Sequence, residues 1–148
     1  AFVKKLGYEG LAIKIPILGT DGKDRLAVIR ELSRERIAVN CTGCITWMQA
    51  LAAAKAGAKF VSLLYRRIID SGLDGIYMIR KTRELLDQYK LPAEIIVGSI
   101  RKKNDVLDSY NAGAHIVTIP PKFLPGLLYH QKSVETQAQF LRDAGTIQ

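Results

Sequence analysis

A repeated alternation of short apolar runs with longer amphipathic stretches is the feature that most constrains the fold. Each apolar run has the length and β-branched content of a strand, and each amphipathic stretch has apolar residues at helical spacing. A strand–helix repeat with short connections predicts a parallel sheet with right-handed crossovers. The five predicted strands are Leu11–Pro16, Ile37–Thr42, Phe60–Leu64, Glu94–Ile100 and His115–Ile119.

Helices are predicted between and after these strands, within one α/β domain over residues 1–148. The unit length fits either a barrel or a doubly wound sheet. Neither a glycine-rich dinucleotide fingerprint nor a P-loop follows any strand, which weighs against a nucleotide site. The predicted helices are Lys23–Glu35, Thr46–Ala56, Gly75–Tyr89, Lys103–Asn111, Phe123–Tyr129 and Ser133–Arg142, with the tail of another over Ala1–Leu6.

Charge and hydropathy restrict the class of partner. No apolar run approaches the roughly 18 residues that a membrane span needs. Lys4 and Lys5 interrupt the only early apolar segment, which argues against a signal peptide and predicts a cytoplasmic protein. The net charge of +8 suits nucleic acid, an anionic membrane or a phosphorylated small molecule. No nucleic-acid-binding module or aromatic stacking platform is recognisable, so neither nucleic acid nor a membrane is the predicted partner.

The two cysteines, Cys41 and Cys44, have C-x-x-C spacing. This spacing is compatible with a redox pair, with half of a zinc site, or with two small reduced thiols. A zinc site needs about four ligands, and the two histidines, His115 and His130, have no partner at ligand spacing. We therefore predict no metal and favour reduced, partly buried thiols.

Lys14 lies in the middle of the first predicted strand, between apolar neighbours. A strand that is buried on both faces does not normally carry a lysine, because an unpaired buried ammonium either finds a partner or lowers its pKa. A neutral lysine amine is the nucleophile of Schiff-base chemistry. The alternative is that the long side chain reaches past the strand to solvent or to a carboxylate.

Polar side chains recur where the apolar strands end. In parallel β/α folds such residues meet at one edge of the sheet, where chemistry usually occurs. Arginine binds phosphate through bidentate, charge-assisted hydrogen bonds. An amine beside hydroxyl, amide and guanidinium donors therefore predicts a phosphorylated carbonyl substrate, although ordinary strand-end polarity explains any single residue. The residues are Lys14, Asn40, Thr42, Ser62, Arg67, Ser99, Arg101 and Thr118.

Several of these segments together resemble the small transaldolases and fructose-6-phosphate aldolases. The likeness covers nearly the whole chain, in order and with the spacing of that family. It implies a (β/α)8 TIM barrel of which about five β/α units are visible here. The segments are Ile13–Pro16, Val39–Thr42, Gln49–Ala58, Phe60–Ser62, Arg67–Ile68 with Asp70, Gly98–Arg101, Ala112–Ala114 and Val117–Pro120.

The resemblance also implies an activity within the pentose phosphate pathway of carbohydrate metabolism. Lys14 would form the Schiff base with a ketose such as fructose 6-phosphate, and a dihydroxyacetone unit would remain on it after cleavage. A transaldolase passes this unit to an aldose phosphate acceptor, whereas an aldolase releases it. No cofactor and no metal are implied, and a homo-oligomer is expected. By this resemblance, Asn40 and Ser62 would hold the Schiff-base intermediate, and Thr42 would position the catalytic water. The phosphate group would be bound by Arg67, Ser99 and Arg101.

Three departures from the family pattern limit what is implied. The family barrel has eight strands, and the three that carry its proton-transfer residues would lie before Ala1, so no general acid or base is identified. Leu64 replaces an aromatic residue that supplies a phenol in the aldolases, and strand alternation points the neighbouring Tyr65 to the other face. Arg66 stands where a glycine is common. The alternative function is thus a catalytically impaired, truncated or divergent barrel that binds sugar phosphate or serves as an assembly subunit.

Overall fold

The computed structural model describes residues 10–145, so the predicted helix tail over Ala1–Leu6 lies outside the described residues. Contacts divide the chain into two compact units, one that ends at Thr118 and one that begins at Ile119, and each is described by itself. The prediction of a single domain stays a prediction. The strands of the first unit are β1 (Ala12–Pro16), β2 (Ala38–Cys44), β3 (Phe60–Leu64), β4 (Glu94–Gly98) and β5 (Ile116–Val117).

The five strands form one parallel sheet in sequential order, β1-β2-β3-β4-β5. The register places Lys14 opposite Asn40, Asn40 opposite Phe60, and Phe60 opposite Glu94. Because the order never reverses, right-handed crossovers place every connecting helix on the same face of these strands. The described sheet is therefore a segment of barrel wall, and the doubly wound alternative, which needs a reversal of strand order, does not apply to it. The helices of this unit are α1 (Leu26–Arg34), α2 (Trp47–Lys55), α3 (Tyr65–Asp70), α4 (Gly75–Gln88) and α5 (Asn104–Asn111).

The face of the sheet that carries the helices is the core. Alternate strand residues on this face are almost inaccessible to solvent, as period-two alternation requires when one face is covered. Apolar residues of the helices, such as Ile29 and Ile79, are equally buried. The strand residues of this core are Val39, Cys41, Val61, Leu63, Ile95 and Val97.

The other face, called the open face below, carries Lys14, Asn40, Ser62 and Ile96. The prediction that the first strand is buried on both faces is wrong, because β1 is half-buried at best and Lys14 is exposed. The physical reason is that β1 is the edge strand of the described sheet and pairs with β2 alone. Burial therefore does not support a reactive amine at Lys14. The support comes instead from the position of Lys14 beside Asn40.

Four elements of the first unit differ clearly from their predictions. Helix α3 (Tyr65–Asp70) was not predicted, because no helix was expected between the strand Phe60–Leu64 and the helix Gly75–Tyr89. Strand β2 continues two residues past Thr42, to Cys44. Strands β4 and β5 are shorter than predicted, since the chain leaves the ladder at Gly98 and at Val117.

The second unit contains a 3-10 helix (Pro121–Phe123), α6 (Leu124–Leu128) and α7 (Gln131–Gly145), so the last helix is longer than predicted at both ends. None of these elements has a buried residue. Helix α7 has apolar residues at i, i+4 and i+7 spacing, namely Val134, Ala138 and Leu141. Among residues 10–145, no helix is long and apolar enough to cross a membrane.

Candidate active site

The centre of the candidate site is a row of polar side chains on three neighbouring strands. Lys14 of β1 lies opposite Asn40 of β2. The Ser62 hydroxyl of β3 donates a hydrogen bond to the Asn40 amide oxygen at 2.6 Å, and Ser62 is only 4% exposed. This bond fixes the Asn40 side chain and leaves its amide NH2 as the donor that it offers a substrate. The structure thus places an amine, an amide and a hydroxyl side by side on the open face.

Thr42 lies two residues after Asn40, and the pairing with β1 stays regular through Pro16 and Thr42. On the other side the register between β2 and β3 shifts between Cys41 and Cys44. Gly43 has a φ of +79°, the left-handed conformation that a β-bulge of this kind favours and that glycine adopts without strain. Thr42 therefore stays on the same face as Asn40.

The same bulge explains the environment of the C-x-x-C pair. Strict alternation would point Cys41 and Cys44 to opposite faces, but the extra residue pairs them with Val61 and Leu63, which both lie on the helix side. Both cysteines are free thiols with no exposed surface. The neighbouring Cys41 and burial both raise the pKa of the Cys44 thiol. The hydrogen bond with Cys44 lowers the pKa of the Cys41 thiol, but a redox pair also needs an accessible thiolate. Because neither thiol is accessible, the reduced-thiol interpretation fits this site better.

The residues predicted to bind phosphate lie on two segments that follow β3 and β4. Ser99, directly after β4, has a φ of +62°, a strained conformation for a residue other than glycine. Arg101 is exposed, and its guanidinium makes a bidentate ion pair with the Asp70 carboxylate at 2.6 and 3.1 Å. Arg67 is an exposed residue of α3, the helix that also carries Asp70. The structure therefore brings the Arg101 guanidinium to the helix that holds Arg67.

A second ion pair joins the same two segments. Asp105 in the first turn of α5 has no exposed surface, and its carboxylate accepts from Nε and Nη2 of Arg66. The backbone N–H groups of Arg101 and Lys102 each donate to the same carboxylate at 2.9 Å. Burial acts to raise the pKa of Asp105, but the Arg66 guanidinium and the two N–H groups outweigh it, so the pKa lies below the ordinary 3.8.

The lowered pKa of Asp105 predicts a pH-dependent contribution to stability. A carboxyl whose pKa is lower in the folded than in the unfolded state stabilises the fold above the unfolded-state value, and this stability is lost as the pH falls through the folded-state value. We expect Asp105→Asn to lower Tm by about 5 °C near neutral pH, with the gap narrowing below about pH 4. Calorimetry of both proteins across this range measures the gap, and a gap that does not change with pH would contradict the assignment.

Sequence reasoning missed Asp105, and it treated Arg66 only as a departure from a glycine. A signal was present, because Asp105 falls in the first turn of a predicted helix, where a carboxylate commonly binds backbone N–H groups. The pairing with Arg66, 39 residues away, depends on tertiary structure. Tyr65 agrees with its prediction: its hydroxyl lies 3.5 Å from the Asp108 carboxylate, and burial, followed by Asp108, raises its pKa.

Comparison with known proteins identifies the family of the chain. The family model described as "Transaldolase/Fructose-6-phosphate aldolase" matches residues 1–147. The chain belongs to the transaldolase/fructose-6-phosphate aldolase family. It is 39% identical over 136 residues to a "Probable transaldolase" of Parvibaculum lavamentivorans, covering 91% of this chain and 61% of that protein. A "Probable transaldolase" of Thermoplasma acidophilum is 40% identical over 135 residues, covering 91% of this chain and 59% of the relative.

The fold of the family is a (β/α)8 TIM barrel, and the described sheet supplies five of its strands. The predicted fold class is therefore confirmed, and the chain spans about three fifths of the length of the curated relatives above. A crystal structure of mandelate oxidase superimposes with a TM-score of 0.52 at 20% sequence identity, covering 66% of this chain and 30% of that one. At this identity the likeness concerns the fold alone.

Proposed function

We propose that the protein catalyses transaldolase- or aldolase-type chemistry on a phosphorylated ketose, with Lys14 as the Schiff-base residue. The observation that carries the proposal is the row formed by Lys14, Asn40 and Ser62 on one face of the sheet. An amine held beside fixed hydrogen-bond donors suits imine formation with a polyhydroxylated ketone. Membership of the transaldolase/fructose-6-phosphate aldolase family supports the same class of reaction.

The proposed reaction begins with attack of the Lys14 amine on the ketose carbonyl carbon, whose oxygen leaves as water. The imine then accepts the electrons of the carbon–carbon bond that breaks when the hydroxyl of the departing fragment loses its proton. The aldose phosphate leaves as an aldehyde, and a dihydroxyacetone unit stays on Lys14 as an enamine. This unit either attacks an acceptor aldehyde, whose oxygen takes up a proton, or itself takes up a proton at carbon. In both cases water then hydrolyses the resulting imine, which releases the ketone product and restores the Lys14 amine. Asn40 and Ser62 hold its hydroxyl groups, and Thr42 positions the water.

The phosphate group is proposed to bind Ser99, Arg101 and Arg67. Arg101 supports this role because its guanidinium already holds a carboxylate in the bidentate geometry that a phosphate would use. Both partners of the Asp70–Arg101 pair are about half exposed, so the pair is weak and a phosphate dianion can displace the carboxylate.

Removing the competing carboxylate is expected to strengthen phosphate binding. In Asp70→Asn, Arg101 no longer has to exchange an ion pair for the substrate, and we expect a Kd for fructose 6-phosphate about threefold lower. Isothermal titration calorimetry measures this constant. Asp87→Asn, which breaks an exposed Arg–Asp pair on α4, is the matched control and should leave Kd unchanged. Weaker binding by Asp70→Asn alone would show that Asp70 orients Arg101 rather than competing for it.

The alternative function is a barrel that binds sugar phosphate without turnover or serves as an assembly subunit. Two observations favour it. Leu64, not an aromatic residue, follows Ser62 on the open face. Among residues of the five described strands, Glu94 is the one carboxylate, and β2 and β3 separate it from Lys14. Strands β1 and β4 are three strand spacings apart, which is roughly 14 Å. At this distance Glu94 cannot act as a general base for a reaction at Lys14.

A product assay separates these functions. The protein is incubated with fructose 6-phosphate alone and with an aldose phosphate acceptor, and the sugars are quantified by mass spectrometry. Free dihydroxyacetone without acceptor indicates an aldolase, whereas a new ketose phosphate that forms only with acceptor indicates a transaldolase. Binding of fructose 6-phosphate with neither product would support the non-catalytic alternative.

We also propose a cytoplasmic homo-oligomer, as the family resemblance suggests. Support comes from α7, in which Val134 is 51% and Leu141 66% exposed on one apolar stripe. We expect Leu141→Glu to lower the molar mass measured by light scattering, because a charge on this stripe opposes its burial against a second copy. Gln131→Glu, at the start of the same helix, is the control. An unchanged mass for Leu141→Glu would remove α7 from the interface.

A further inference from the structure

The Asp105 carboxylate is a buried, charged group that the proposed reaction at Lys14 does not use. It has no exposed surface, and it accepts from two nitrogens of Arg66 and from two backbone N–H groups. A carboxylate in the first turn of a helix ordinarily binds N–H groups at the start of that helix. Asp105 instead binds the N–H groups of Arg101 and Lys102, which precede α5.

These two N–H groups belong to the segment that carries the proposed phosphate ligands. Between the end of β4 at Gly98 and the start of α5 at Asn104, the chain has no regular secondary structure to hold it. Ser99 in this segment is strained, with a φ of +62°. Such a conformation persists only where the surrounding structure over-determines it. Asp105 supplies that constraint, because it fixes the backbone two and three residues after Ser99.

Arg66 makes this arrangement possible. A buried carboxylate without a counterion is costly, and Arg66 supplies the counterion from α3 through two nitrogens of one guanidinium. The pair therefore ties the segment after β4 to the segment after β3.

We propose that Asp105, with Arg66 as its counterion, is a positioning residue that holds the Ser99–Lys102 segment in the conformation that binds the phosphate group of the substrate. The inference rests on the proposed function only for the identity of the substrate. Asp105 does not touch the substrate. It acts through the backbone of Arg101 and Lys102, so its loss is expected to weaken phosphate binding more than it slows the chemistry at Lys14.

The test compares the wild-type protein with Asp105→Asn, a change that keeps the size of the side chain but removes its charge. We expect the Kd and KM for fructose 6-phosphate to rise about tenfold or more, with a smaller change in kcat. Borohydride trapping of unphosphorylated dihydroxyacetone on Lys14 should stay unchanged. Asp108→Asn, on the same helix, is the matched control and should leave KM unchanged.

Two further variants keep the inference testable if Asp105→Asn does not fold. Arg66→Lys retains a positive charge and should raise KM less than Arg66→Met does. A folded Asp105→Asn protein with unchanged Kd would overturn the inference. So would equal losses of phosphate binding and of dihydroxyacetone trapping, which would indicate a general structural role. If the wild-type protein binds fructose 6-phosphate but neither traps dihydroxyacetone nor turns over, the proposed function fails, while the Kd comparison still tests Asp105.

Discussion

Replacing Lys14 by methionine is expected to lower turnover of fructose 6-phosphate by at least about 10⁴-fold, because the residue proposed as nucleophile is lost. Methionine keeps much of the length and apolar character of the lysine stem. Lys14 lies in the middle of a regularly paired edge strand and is exposed, so the change should leave the fold intact. Steady-state kinetics with equal circular dichroism spectra of the two proteins measures the effect.

Lys23→Met is the matched control for this prediction. Lys23 is an exposed lysine in the loop between β1 and α1, and its backbone N–H donates to the Asp21 carboxylate. Its replacement should leave kcat and KM unchanged. If Lys14→Met keeps more than about a tenth of the wild-type activity, Lys14 is not the nucleophile. Binding of fructose 6-phosphate by the inactive variant would show in addition that the phosphate residues work independently of the lysine.

The second large effect is expected from Leu63→Ala, compared with Ser62→Ala in the same strand. Leu63 points to the helices and has no exposed surface, so its truncation should cost about 2–5 kcal/mol of the free energy of unfolding. Ser62 points to the open face, and its loss removes one hydrogen bond to Asn40, worth about 1 kcal/mol. Urea denaturation of the two variants measures these costs.

The same pair should show the opposite order in activity. Ser62→Ala removes the bond that fixes the Asn40 amide, so we expect kcat to fall about tenfold or more, while Leu63→Ala keeps near-normal kcat under conditions where it is folded. This reversal follows from the two faces of one strand having separate roles. A result in which Ser62→Ala is the less stable variant, or leaves kcat unchanged, would contradict the assignment of the open face to the site.

The strand pattern could be predicted from the sequence because each strand is a short apolar run closed by a polar or turn residue. Strand β3 has its predicted bounds, Phe60–Leu64. Helix α3 could not be predicted in the same way. Its six residues, Tyr65–Asp70, are too few to show a helical period, and the helix depends on burial of Ile68 and on the contact of Arg66 with Asp105.

The candidate site was predicted in part. Residues on neighbouring strands, such as Lys14, Asn40 and Ser62, could be grouped because strand ends of a parallel sheet share one edge. The register then places these three residues on one face. The argument from burial of Lys14 was wrong, since the exposure of a strand depends on what covers it. The pairing of Asp105 with Arg66 could not be assigned from sequence, because the two residues are 39 positions apart along the chain.

The most direct test of the account is to locate the covalent intermediate. The protein is incubated with fructose 6-phosphate, reduced with borohydride, digested and analysed by tandem mass spectrometry. The account predicts a reduced dihydroxyacetone unit on Lys14, within the peptide that contains Ala12–Pro16, and its absence from Lys14→Met. An adduct on any other lysine, or no adduct from a folded protein that binds fructose 6-phosphate, would contradict it.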